Sequence, residues 1–574
     1  MKPSTVWILA GLLLLSACDL PGQAQGPQNG GTLTVAITGD PSSLNRFLAA
    51  DPASLRASAP LFPNLYQANP DMSISPDLAA SMPSLSDDRK SWTVRLRHNA
   101  RWSDGQPITA DDVLATVAIQ RNPALVTDVV FDWSGLAKVS KVDTYTVRFD
   151  LTSPYAPFLA NSLTMFVVPA HIYGAIDVAK MGADPISQQP SVTGGPFRFE
   201  KRNKDQVDLV ANPDYYAGRA HLDRMVFKIL PDATAAANAL ANGDIGWEPD
   251  LSASALDKLK GSSGVKVVEY PDLSFYDVRF NDRSTHLFGD KLVRQAFAYA
   301  IDKEAITRKV TGGHGTALWG DVAPETWAFD PSAVVKYKPD LAKAKQLMQQ
   351  AGWVVGADGI AAKGGKRFST KFYVRNDAPT RVMAVGIISA QARAIGMDLQ
   401  PAPVPYYNPA DQSSFFDPLK KGEYDLAFTG FASGADPDQY RIFDSAQLRP
   451  ENNPTGVNWT GYTNSQLDTL IAQERTTLTA DDSQTRAARR KTFSQIARLL
   501  GQDVVTYFMW ADNSGQAFSS DVGGVNAGSQ GSLINIDYGR NVQAFAGWYL
   551  RRSISESGTV RQGGPTKSGP SIRS

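Results

Sequence analysis

The chain has 574 residues, 43% of them hydrophobic and 20% charged, ordinary values for a globular protein. Lys+Arg and Asp+Glu both number 57, and this zero net charge argues against a nucleic-acid partner, which calls for a basic surface. Cys18 is the sole cysteine, which excludes an intramolecular disulfide and a cysteine metal cluster.

The N-terminus opens on Lys2, an uncharged apolar run at 6–15 (VWILAGLLLL) and the small pair Ser16-Ala17. That is the layout of an export signal. The run is about half of the ~20 residues a membrane-spanning helix needs, and no second run approaches that length. Leu15-Ser16-Ala17-Cys18 resembles the bacterial lipobox, which implies a signal peptide at 1–17 and a lipid-modified Cys18. Two acyl chains on that cysteine give stable anchoring where one is marginal. The Gly/Gln/Pro-rich stretch behind it has too little apolar surface to order itself, so 18–30 is expected to be a flexible tether.

Residues 32–38 (TLTVAIT) alternate β-formers and end at Gly39-Asp40-Pro41, a strand leading into a turn. Residues 92–97 (WTVRLR) and 144–151 (TYTVRFDL) predict half-buried strands with arginines on the wet face. Thr109 and Asp112 open a helix through Val113, Val117 and Ile119. Asp290 precedes a predicted helix over 291–306, with Val293, Phe297, Ala300 and Ile301 on one face. A further amphipathic helix spans 340–351 and stops at Gly352. Thr463 to Gln466 form a capping box before Leu467, Leu470 and Ile471. The tail at 551–574 offers almost nothing to pack. Strands and helices are mixed throughout, so the class is α/β or α+β. At ~150 residues per domain, the length suggests about three domains.

Several segments, in order, carry a family resemblance. Trp102-Ser103-Asp104-Gly105-Gln106-Pro107-Ile108-Thr109-Ala110-Asp111-Asp112-Val113 is the most diagnostic. Val168-Pro169-Ala170-His171-Ile172, Thr193-Gly194-Gly195-Pro196-Phe197 and Asn212-Pro213-Asp214-Tyr215-Tyr216 agree with it, as do residues 239–245 and 293–303. Together they cover roughly residues 31–510, and the chain resembles the peptide-type (family 5) extracytoplasmic solute-binding proteins of bacterial ABC importers. The resemblance implies a two-lobed periplasmic-binding-protein-like α/β fold of type II, with three domains, mixed sheets and a hinge. Lobe I is expected from 31–68, 190–280 and 506–550, an additional domain from 69–189, and lobe II from 281–505. It also implies an ABC permease with its ATPase as partner, a small solute as ligand, a monomer, and no cofactor. The solute is expected to be a peptide, held as an added β-strand with its ammonium on an aspartate. Oligosaccharides, opines and metal chelates are alternatives.

The family's Gly-Trp-x-x-Asp pattern falls on Gly430 to Gly434. Phe431 replaces the tryptophan and Gly434 the aspartate, while Asp436 stands two residues on. Asp436 equally suits a turn before Pro437. Arg375, at a predicted strand end, is suited to clamp a ligand carboxylate or to pair with Asp377. Tyr406 and Trp459 are loop aromatics able to stack on a ligand or to fill a core. Asn45 closes the first loop after the first strand, a stretch expected to face the cleft or to be a bare turn.

No enzyme signature competes. The five histidines are scattered without a metal-ligand motif. Residues 359–366 misplace the lysine of a phosphate loop, and 430–434 lacks nucleophile-elbow spacing. A secreted hydrolase lacks any nucleophile-base pair, and a chemosensory role for the loaded protein is open.

Overall fold

The computed structural model describes residues 27–69, 72–127, 129, 132–133, 135–408, 410–479, 481–525 and 542–551. The expected signal peptide, Cys18 and nearly all of the expected tail lie outside them. Gly30, at the end of the expected tether, donates its amide to the His221 carbonyl at 2.8 Å.

One mixed sheet runs through the molecule. Across it the strands are Asp398–Val404, Ser369–Arg375, Leu426–Phe431, Phe275–Phe280, Thr506–Ser519, Trp247–Glu248, Thr32–Ile37, Arg224–Ile229, Gln206–Ala211 and Phe197–Arg202. Thr506–Ser519 is the joint. Its first residues pair antiparallel with Phe275–Phe280, and its last with Val265–Pro271 and Trp247–Glu248. It is largely buried over this length, as a run of aromatic and small residues packed on both faces should be. Residues 272–274, between Val265–Pro271 and Phe275–Phe280, form a second crossing beside it, tied by the Asp272 amide to the Asp512 carbonyl at 2.9 Å. The two lobes are therefore joined by two adjacent backbone passages.

A separate four-stranded sheet, in the order Ser84–Leu85, Ser91–Arg95, Thr146–Leu151, Leu136–Asp143, packs beside the first lobe and shares its apolar core. The second lobe has its own core around Phe280, Phe297, Phe372 and Trp510.

The segments that carry the resemblance meet one another. The Ser103 amide donates to the Thr193 carbonyl at 2.8 Å, and a Cβ on Gly194 would stand 2.7 Å from the Trp102 ring. One on Gly195 would stand 2.3 Å from the Pro60 carbonyl oxygen, closer than atoms can approach. Asn212 Nδ2 donates to the Gly195 carbonyl at 2.9 Å, and His171 Nε2 lies 2.8 Å from Asp104. These residues fix the junction between the first lobe and the small sheet.

The strand at Thr32–Ile37 and the helix Leu341–Gln350 form where the pattern predicts, and the latter is capped by Asp340. The capping box at Thr109 and Asp112 is present on the helix Ala110–Gln120. The single helix expected over 291–306 is two, Lys291–Ala300 and Lys303–Val310. Asp302 turns outward to cap the second through the Ala305 amide at 3.0 Å, and Ile301 is extended between them. The cap expected from Thr463 belongs to Asn464, whose side chain accepts from Gln466 and Leu467.

Candidate functional site

A cavity of about 1070 Å³ lies between the lobes. Arg46, Ala49, Ala50 and Leu55 wall it from the first lobe, and Asp132, Tyr155, Asn161 and Phe166 from the small-sheet unit. From the second lobe come Asp321, Arg475 and most of residues 432–442. That run starts where Leu426–Phe431 ends. Among the described residues, the backbones of Ala432, Ser433 and Gly434 make no hydrogen bond to another segment.

Of the residues singled out in the sequence, Gly434 and Asp436 stand on this wall. A Cβ on Gly434 would lie 3.3 Å from Asn161 Oδ1 across the cavity, so glycine keeps the gap open. Asp436 is buried against Arg489, whose Nη2 is 2.8 Å from Oδ1 and whose Nη1 bonds Oδ2. The same Nη2 reaches Glu474 at 2.5 Å, and the rings of Trp327 and Phe493 lie 5.2 and 5.3 Å from the guanidinium.

Phe431 and Trp459 pack against each other, with ring centres 5.7 Å apart, just behind the strand end. Arg279 lies 4.4 Å over the Phe431 ring and is itself fixed by the buried Asp277. Arg375 forks onto Asp377 at 2.9 and 2.5 Å and lies 4.4 Å over the ring of Tyr406, which is 51% exposed. Asn45 is fully buried, with its amide 3.2 Å from the Ser187 hydroxyl and its carbonyl accepting from the Phe47 amide. Phe431, Trp459, Arg375, Tyr406 and Asn45 lie off the cavity lining.

The wall also carries charged residues that no motif marked. Arg475 Nε is 3.1 Å from Asp438 Oδ2, and the Tyr155 hydroxyl lies 2.9 Å from Asp132 and 3.2 Å from Asp438. Burial, with the two aspartates, holds the Tyr155 hydroxyl well above its ordinary range, so it remains a donor. This chain of contacts bridges the small-sheet unit and the second lobe. Arg46 lies 5.1 Å over the Phe166 ring, and burial brings it down to about 10, still charged at neutral pH. Burial pushes Asp321 up to about 6. Asp438 stands two residues past Asp436 in a segment the sequence already marked, and Arg46 adjoins Asn45. Asp321 and Tyr155 sit in stretches with no distinctive pattern. Among the described residues, no group of three or more His, Cys, Asp or Glu is placed to hold a metal ion.

The family model for bacterial extracellular solute-binding proteins, family 5 (middle), matches residues 73–448. The chain belongs to this family. Its members are solute-binding proteins rather than enzymes, and the two-lobed periplasmic-binding-protein-like fold, type II with three domains, is theirs. The family 5 oligopeptide-binding protein AppA of Bacillus subtilis is 28% identical over 549 residues, 94% of this chain and 97% of that protein. The structure of AppA in complex with a nonapeptide superposes with a TM-score of 0.66 at 26% identity, covering 91% of this chain and 99% of that one. Heme-binding protein A of Haemophilus influenzae is 27% identical over 501 residues, 82% of this chain and 87% of that protein. Among the described residues, no helix of this family 5 protein is long and apolar enough to cross a membrane.

Proposed function

We propose that this protein is the extracytoplasmic receptor of an ABC importer, tethered by a lipid on Cys18, that encloses a peptide or peptide-like solute between its lobes and delivers it to the permease. The observation that carries this reading is the 1070 Å³ cavity walled from both lobes. It matches the upper end of the range for small-molecule sites, and no single lobe encloses it. The similarity to a protein solved with a nonapeptide supports a peptide. The backbone at 432–434, continuing a strand edge along the wall, is suited to pair with an extended ligand.

On this reading the protein is a monomer of three parts, with 69–189 as the additional domain and the lobes bounded as expected from the sequence, except that 275–280 and the first residues of Thr506–Ser519 go with the second lobe. The hinge passes through 272–274 and the middle of Thr506–Ser519. Gly434 and Asp436 face the solute directly, and Phe431 with Trp459 stiffens the strand end beside it. Arg375 and Tyr406 join the ligand site on closure, while Asn45 holds the turn behind Arg46 from within the first lobe.

Thermal unfolding with a peptide library tests the reading. A peptide at a hundredfold excess over its Kd stabilises the folded state by about 2.7 kcal/mol. A library that gives no shift, with a shift from another solute class, removes the peptide and keeps the receptor. The likeness to heme-binding protein A makes heme the first such solute to try. Acyl-chain mass on the N-terminal peptide of the mature protein tests the anchor.

A further inference from the structure

His314 stands at the joint between the lobes. It follows the helix Lys303–Val310 of the second lobe, and the next residues, Gly315–Ala317, pair with residues 510–512 of Thr506–Ser519. Its ring faces the first lobe. Nδ1 lies 3.0 Å from Glu269 Oε1, on Val265–Pro271, and Nε2 lies 3.3 Å from Asp257 Oδ1, on the helix Ala253–Leu259. The histidine is 8% exposed, so salt screens the contact with Glu269 less than it screens a surface pair.

Two carboxylates of one lobe thus face the two ring nitrogens of a residue from the other. A neutral imidazole carries a single N–H and can donate to one of them, and its second nitrogen then turns a lone pair toward an anion. Only the imidazolium presents a proton to both. Histidine ordinarily changes charge between about pH 5 and 8, so the contact between the lobes depends on a proton exchanged in that range. Asp257, whose side chain is 68% exposed, leaves that proton a path to water.

The groups around the ring hold its acceptor in place. Thr316 donates to Asn513 Oδ1 at 2.9 Å, which turns Asn513 Nδ2 onto Glu269 Oε1 at 2.9 Å, and Lys260 Nζ donates to Oε2 at 2.9 Å. Burial pushes the Glu269 carboxyl up, but hydrogen bonds from Asn513, Lys260 and His314 outweigh it and hold the group below its ordinary range. Glu269 is therefore an anion wherever histidine titrates. Along the joint, Asp272 accepts from the Leu273 amide at 2.7 Å and Asp512 from the Trp510 ring nitrogen at 2.8 Å. Arg308 and Lys309, on the helix before His314, are exposed.

We propose that His314 is a proton-operated latch across the hinge: as imidazolium it ties Val265–Pro271 and the helix Ala253–Leu259 to the second lobe, and on losing its proton it frees the lobes to open. The inference rests on the hinge assigned above and holds whatever the solute is.

Small-angle scattering of the ligand-free full chain at about pH 5.5 and about pH 8 tests it. The radius of gyration is expected to be larger at the higher pH. In His314→Gln, which fills similar space and carries no charge, the two profiles are expected to coincide, and the unfolding temperature confirms that the variant folds. Asp257→Asn alters an exposed side chain, so it is expected to fold as the parent does and to shrink the difference, and it keeps the test decisive should His314→Gln unfold. A parent radius that does not grow with pH overturns the latch and leaves the receptor reading intact. A pH effect of parental size in both variants also overturns it. Glu248 and Asp321, which burial pushes up to about 7 and about 6, would then be the groups responsible.

Discussion

Arg489 presents two nitrogens to the Asp436 carboxylate, and one of them also reaches Glu474, inside a wall where all three side chains are almost fully buried. Burial holds the Glu474 carboxyl well above its ordinary range, opposed by Arg489. Removing the guanidinium strands two carboxylates, and breaking a buried pair in this way costs about 3–5 kcal/mol. Arg489→Met is expected to lose that much in urea unfolding at neutral pH. The triple variant Arg489→Met, Asp436→Asn, Glu474→Gln recovers most of it. A single variant as stable as the parent would show that Arg489 is not the keystone of this wall.

The Arg475–Asp438–Tyr155 chain closes the gap between the second lobe and the small-sheet unit. Arg475→Gln leaves Asp438 without its cation and weakens the bridge. The ligand-free protein is expected to show a larger radius in small-angle scattering, and solute affinity is expected to fall about tenfold, or roughly 1.4 kcal/mol. An unchanged scattering profile would mean that the bridge does not hold the lobes together.

Glu248 lies in the strand beside the joint, with Oε1 accepting from the Asp250 amide at 3.0 Å and Oε2 buried without a partner. Burial pushes it up to about 7, against 4.5 ordinarily. The folded protein thus binds this proton more tightly than the unfolded chain. The associated stability is fully present below pH 4.5 and is lost as the pH rises through 7, amounting to about 3 kcal/mol. Glu248→Gln mimics the protonated acid. It is expected to exceed the parent by less than about 1 kcal/mol at pH 5 and by about 3 kcal/mol at pH 8. Parallel stability curves for the two proteins between those values would refute this assignment.

Gly195 marks a close backbone approach, since a Cβ there would collide with the Pro60 carbonyl and the Phe62 amide nitrogen. Backbone cannot step aside as a flexible side chain can. Gly195→Ala is therefore expected to lower stability by about 1–3 kcal/mol or more, with solute affinity per folded molecule unchanged. A drop in affinity without a drop in stability would instead place this junction in the recognition machinery.

The capping residues and alternating strands were legible because their causes are local: a side chain satisfying an amide two or three positions on, or one face of a strand turned to the core. The family segments were legible as a set, and the structure gives the reason for their co-occurrence. Trp102 meets Gly194, Asp104 meets His171 and Gly195 meets Asn212, so segments distant in sequence share one junction. The cavity was far less legible. Gly434 and Asp436 were found through a motif, but Asp321, Tyr155 and Arg475 reach the wall from three separate stretches, brought there by tertiary packing. Asp436 looked the same in sequence whether it awaited an ammonium or already held Arg489. The break at Ile301 was missed because an apolar stripe continues across it while Asp302 serves as a cap.

The placement of Thr506–Ser519 behind every strand it pairs with has a consequence for biogenesis. Residues of the first lobe, in Trp247–Glu248 and Val265–Pro271, and of the second, in Phe275–Phe280, all wait on a segment made more than two hundred positions later. Neither half can finish its ladder on its own schedule. Such long-range closure is slow, so both halves stay incompletely folded until Thr506–Ser519 has been made. Truncation anywhere before residue 519 is then expected to spoil both halves together rather than only the later one.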